Sequence, residues 1–172
     1  MKRLIAASAL SLLGAMFFVT AAMAQNVGVN SCGYTMEVIP ATQGPAPAAT
    51  DVPQILDAWT TNDPFVNPYS RVNDFTSGQG TLAFVVDYHH TGGTLPRQYN
   101  RAWSCGNEAN ILKTCSFRWT IPFLPAGDYL LVNYVAPVNL KPGSYDWAAK
   151  VGDVVFGWPD INASAPSCFT IQ

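Results

Sequence analysis

Leu140-Lys141-Pro142-Gly143-Ser144-Tyr145-Asp146-Trp147-Ala148-Ala149-Lys150-Val151 reads as a tight turn running into an alternating strand. Pro142 and Gly143 supply the turn. Tyr145, Trp147, Ala149 and Val151 then point one way, and Ser144, Asp146 and Lys150 the other, which is the period of a strand with one buried face. Gly152-Asp153 fits a two-residue hairpin into a further strand over residues 154–158. The turn pattern L-x-x-G-x-Y occurs a second time at Leu124-Pro125-Ala126-Gly127-Asp128-Tyr129. The copy at Leu140 to Tyr145 looks like the corner by which sandwich domains pass between sheets, with the Tyr hydroxyl bonded back to the turn.

Similar alternation recurs on both sides of this stretch. Tyr34, Met36 and Val38 form a first strand, and Cys32 shares their parity. Leu82, Phe84, Val86 and Tyr88 form another, ending at His89-His90 and the Thr91-Gly92-Gly93 turn. Phe117, Trp119 and Ile121 alternate with Ser116, Arg118 and Thr120. Residues 129–135 are apolar on both faces and predict a central strand or one lying under a loop. Residues 168–171 make the closing strand. Pro40 to Ser77, rich in Pro, Ala, Asn and Asp, predicts a long loop, with Asp51 capping a short helix over Val52 to Trp59. The fold expected is all-β: an antiparallel sandwich, immunoglobulin-like or fibronectin-like, with a long loop excursion and two disulfides.

Residues 1–24 predict an export signal: Lys2-Arg3, an apolar run, then Ala22-Met23-Ala24 as the cleavage site. Residues 25–172 then form one domain, periplasmic or secreted, where Cys32, Cys105, Cys115 and Cys168 can pair. Four cysteines allow three pairings. The favoured one is Cys32–Cys168 with Cys105–Cys115, closing loops worth about 5 and about 3 kcal/mol. The main rival is Cys32–Cys105 with Cys115–Cys168. Without Lys2 and Arg3 the chain carries seven basic and eleven acidic residues, scattered along its length. That scatter predicts no basic patch and no nucleic-acid partner.

No complete catalytic constellation is present. Asp51, Asp57, Asp63, Asp74 and Glu108 fall in predicted loops, and Ser104 has no nucleophile elbow around it. His89 and His90 are the only imidazoles. Adjacent strand residues face opposite sides, so a shared metal requires the turn to twist them together. Trp59, Phe65, Tyr69, Tyr99 and Trp103 fall in loop-like segments and suit a sugar face or a protein partner. Of these, Trp59 is expected to be buried under the long loop. Asn162-Ala163-Ser164 fits a glycosylation acceptor.

Val86-Asp87-Tyr88-His89-His90-Thr91-Gly92-Gly93, with Tyr99, Ala102 and Cys105, resembles the second-histidine region of fungal-type lytic polysaccharide monooxygenases. The run from Trp119 to Leu131 is similar to a strand pair of that family, and Cys168 to its late cysteine. The resemblance implies a β-sandwich and a copper held by a first-residue His, a second His and an axial Tyr. Here Gln25 stands first, no His precedes His89, and Ala165 stands at the Tyr position. The resemblance therefore supports the fold and argues against copper chemistry. The function expected is non-catalytic binding or structure outside the cytoplasm, with copper entering only under a monooxygenase-like alternative.

Overall fold

The computed structural model describes residues 28–42, 52–107, 111–156 and 168–172. The predicted signal, Asp51, Glu108 and the Asn162 acceptor lie outside these residues. The strands are β1 (Gly28–Asn30), β2 (Thr35–Pro40), β3 (Gln54–Thr61), β4 (Asp74–Phe75), β5 (Leu82–His90), β6 (Gln98–Ser104), β7 (Ile111–Trp119), β8 (Gly127–Val135), β9 (Gly143–Val151), β10 (Val154–Phe156) and β11 (Phe169–Ile171). Sheet A runs β1-β7-β6-β9-β11-β4, with β10 also paired to β9. Sheet B runs β2-β8-β5-β3. Every pairing is antiparallel except β11 with β4. The expected two-sheet, all-β sandwich is thus the observed fold.

The alternation read from sequence places the core. Phe84 on sheet B meets Trp147 and Phe169 on sheet A edge-on, with ring centroids 4.9 and 5.7 Å apart, and stacks on Tyr34 at 6.1 Å. The corner at Leu140 to Tyr145 forms as the pattern predicts, and the copy at Leu124 to Tyr129 closes in the same way. The Tyr145 hydroxyl donates to the Lys141 carbonyl at 2.6 Å, and that of Tyr129 to Pro125 at 3.2 Å. Gly152 opens the β9–β10 hairpin at φ +61°, a conformation that glycine adopts without strain.

Three expectations are corrected. Residues 54–61 form strand β3 and not a helix, because antiparallel pairing with β5 overrides the local cap signal. The 40–77 excursion therefore contains an edge strand and the short β4. The disulfides join Cys32 to Cys115 and Cys105 to Cys168, the third pairing, instead of Cys32–Cys168 and Cys105–Cys115. Strand order explains this. β1 lies beside β7, so Asn30 faces Phe117 and Cys32 reaches Cys115. β9 lies between β6 and β11, and Tyr145 pairs with both Ser104 and Phe169, which sets Cys105 and Cys168 beside each other.

Strand β6 was not legible as a strand because its polarity is inverted. Gln98 and Asn100 face the core and bond each other at 2.9 Å. Tyr99, Arg101 and Trp103 face outward by alternation.

Candidate functional site

The two indole rings named from sequence are not open to a ligand. Trp59 sits on β3, on the outer face of sheet B, and is 5% exposed. Its Nε1–H donates to the Pro68 carbonyl at 2.8 Å. Tyr69 stacks on it with centroids 5.9 Å apart, and the Arg71 guanidinium lies 5.0 Å from the ring centre. Arg71 also pairs with Asp57, and the Tyr69 hydroxyl accepts the Thr42 N–H at 2.8 Å. Trp59, Tyr69, Ala83, Val85, Leu130 and Val132 form a second small core there. Phe65 packs edge-on against Tyr134 but stays half exposed. Trp103 lies on strand β6 with 1% exposure. Asp57 and Asp74 likewise lie on strands, not in loops.

The imidazoles point to opposite faces, as the strand period requires. His90 is buried on the inner side, its Nε2 lying 3.3 Å from the Gly93 carbonyl oxygen. His89 is on the outer face, with Nδ1 2.6 Å from Asp128 Oδ1. The pair does not converge, so the two rings do not share one metal. Among the described residues, the one group of three potential ligands is Cys105, Asp146 and Cys168. Both of its sulfurs are committed to a disulfide.

Asp87 lies two residues before His89 on the same face and opposite Asp57. It is 2% exposed, and its Oδ1 has no hydrogen-bond partner among the described residues. Burial, then the charges of Asp128 and Asp57, push its carboxyl up to about 6. A carboxylic acid beside a His–Asp pair could move a proton, but no nucleophile stands with it. Its effect is on stability. The folded chain holds this proton more tightly than the unfolded chain, so the contribution is complete below about pH 4 and is lost as pH rises through about 6. Asp87→Asn is therefore expected to stabilise the protein by roughly 2–3 kcal/mol at pH 8 and to leave it unchanged at pH 3.5. Urea midpoints at the two pH values check this, and equal midpoints for both proteins at pH 8 would refute it.

The outer face of sheet A gathers what the sequence scatters. Tyr99 on β6 pairs with Ser116 on β7 and Lys150 on β9. Arg101 pairs with Thr114 and Ala148, one step along the same face. Arg118 pairs with Val29 at the β1 edge. Arg97 immediately precedes β6, and its Nη1 donates to the Tyr99 hydroxyl at 3.5 Å. Continuing the β6–β7 register sets Arg97 opposite Arg118, and both line one groove with Val29, Asn30, Ser31 and Ser116. Four of the nine lysines and arginines thus share the sheet face that carries the half-buried Tyr99, where the scatter in sequence predicts no basic patch. Strand register, not sequence proximity, assembles the patch. Of the five aromatics named, only Tyr99 lies half-buried among cations.

No protein family and no curated protein matches the sequence. Among solved structures, the chain is similar to the CARDB domain of a Pyrococcus furiosus protein, determined in complex with di-metal ions. Identity is 14%, covering 72% of this chain and 97% of that one, with a TM-score of 0.33. A likeness at that score carries no argument about function.

Proposed function

We propose that the chain is an exported, non-catalytic β-sandwich that binds a carbohydrate through the outer face of sheet A. The observation that carries this reading is Tyr99 set among Arg97, Arg101, Arg118 and Lys150 on one sheet face. An aromatic ring covers the apolar face of a sugar, and flanking guanidinium and ammonium groups meet its oxygens. The face lies on strands β7, β6 and β9, whose other sides are locked into the core, so little ordering is lost on binding. Export rests on the predicted leader, and the two disulfides fit an oxidising compartment. Among the described residues, no helix is long and apolar enough to cross a membrane.

Affinity electrophoresis against a panel of soluble neutral and acidic polysaccharides tests the reading. Retardation by at least one polysaccharide is expected, and Tyr99→Ala should weaken it about tenfold, equivalent to about 1.4 kcal/mol. Trp59→Phe, under the 62–72 segment, should leave it unchanged. Migration unaffected by every polysaccharide would sink the proposal.

A further inference from the structure

We propose that the Arg97–Arg118 groove holds an acidic substituent, a sulfate ester or a carboxylate, and that the ligand is therefore an acidic polysaccharide. This rests on the carbohydrate reading above. Two guanidiniums facing each other across a strand pair repel, and an anion between them removes that cost. Among the described residues, neither has a carboxylate within salt-bridge distance, the ion pairs there being Arg71–Asp57 and His89–Asp128. The planar fork of arginine matches sulfate and carboxylate oxygens.

The floor of the groove is built and fixed. The Ser31 N–H donates to the Ser116 carbonyl at 3.1 Å, and the Ser116 N–H to Ser31 Oγ at 3.0 Å. Accepting that bond leaves the Ser31 O–H able to donate to a ligand oxygen. Asn30 Oδ1 accepts the N–H groups of Cys32 and Tyr34 at 3.1 and 2.8 Å, which sets the turn carrying Ser31. The Cys32–Cys115 disulfide joins the neighbours of the two serines, so the serines and the strand that carries Arg118 keep their places without a ligand.

The charge pattern selects the class of polymer. The groove offers two cations, Arg97 and Arg118. A nucleic acid or an anionic bilayer presents charge at much higher density, and a chain with eleven acidic against nine basic residues repels it away from this one face.

The test measures retention of the oxidised protein on immobilised dextran sulfate, polygalacturonate and unmodified dextran, with Arg118→Gln and Arg97→Gln as variants and Lys141→Gln as control. Retention on one of the two acidic polymers, falling at least tenfold in each groove variant and unchanged in the control, is expected. Sulfate and carboxylate are told apart by which polymer retains the protein. Melting temperatures equal to the parent's show that the variants fold, and either arginine alone suffices for the comparison. Equal retention on unmodified dextran with no effect of either variant would overturn the acidic site while leaving the carbohydrate reading standing. Retention on none of the three removes the acidic site, and the wider panel then decides the carbohydrate reading. Tighter retention on double-stranded DNA or phosphatidylglycerol vesicles than on either acidic polymer would overturn the assignment to a polysaccharide.

Discussion

Replacing Cys32 and Cys115 together by alanine is expected to lower the free energy of unfolding by about 4–5 kcal/mol. The two residues are 83 apart in sequence. Cutting a covalent loop of that length frees the unfolded chain by about this amount on the chain-entropy account. The native state also loses the clamp beside Ser31 and Ser116, which leaves the three-residue strand β1 held by hydrogen bonds alone at that end. Urea unfolding of the oxidised proteins measures the loss. The double variant should retain no free thiol, because Cys105 and Cys168 remain paired. Two titratable thiols, or a loss under 1 kcal/mol, would contradict the connectivity or its energetic role. Removing Cys105 and Cys168, 63 residues apart, should cost about 4 kcal/mol by the same reasoning.

Phe84→Ala is expected to destabilise the protein by about 3–5 kcal/mol. Phe84 is 4% exposed and is the sheet B side chain that meets Trp147, Phe169 and Tyr34 together. Truncation removes its own transfer free energy and three ring contacts, and leaves a space that two hydrogen-bonded sheets cannot collapse to fill. The denaturant midpoint should fall with the slope of the transition unchanged, so that the change is one of stability and not of the exposed area. Phe84→Leu should recover at least half of the loss. A midpoint shift for alanine below that of leucine would show that the three contacts do not act through this ring.

The sequence made the fold legible where polarity alternates in the ordinary sense. Tyr145, Trp147, Ala149 and Val151 face inward as read, and both Tyr corners close as their turn residues specify. Legibility failed where a local signal opposed a distant one. Asp51-Val52-Pro53 spells a helix start, yet Trp59 finds its partners in Tyr69, Arg71 and sheet B, and the segment extends. Gln98 and Asn100 turn inward on β6, which reverses its apparent pattern and makes Tyr99 and Trp103 look like loop residues. Disulfide pairing depends on which strands are neighbours, and no local spacing encodes that. The cations of the candidate site are separated by up to 53 positions, from 97 to 150, and only antiparallel register places them on one face.

Strand β11 lies between β9 and β4, and β4 joins sheet A through β11 alone. Residues 74–75 therefore wait for residues 169–171, almost a hundred positions later. A chain delivered residue by residue can assemble sheet B and the β7–β6–β9 platform before its last residues arrive. It can cover the Phe75 and Phe169 end of its core only after residue 171 has arrived. Until then that apolar rim stays open to any binder of unfinished chains, and closing the second disulfide through Cys168 marks the moment at which it is sealed.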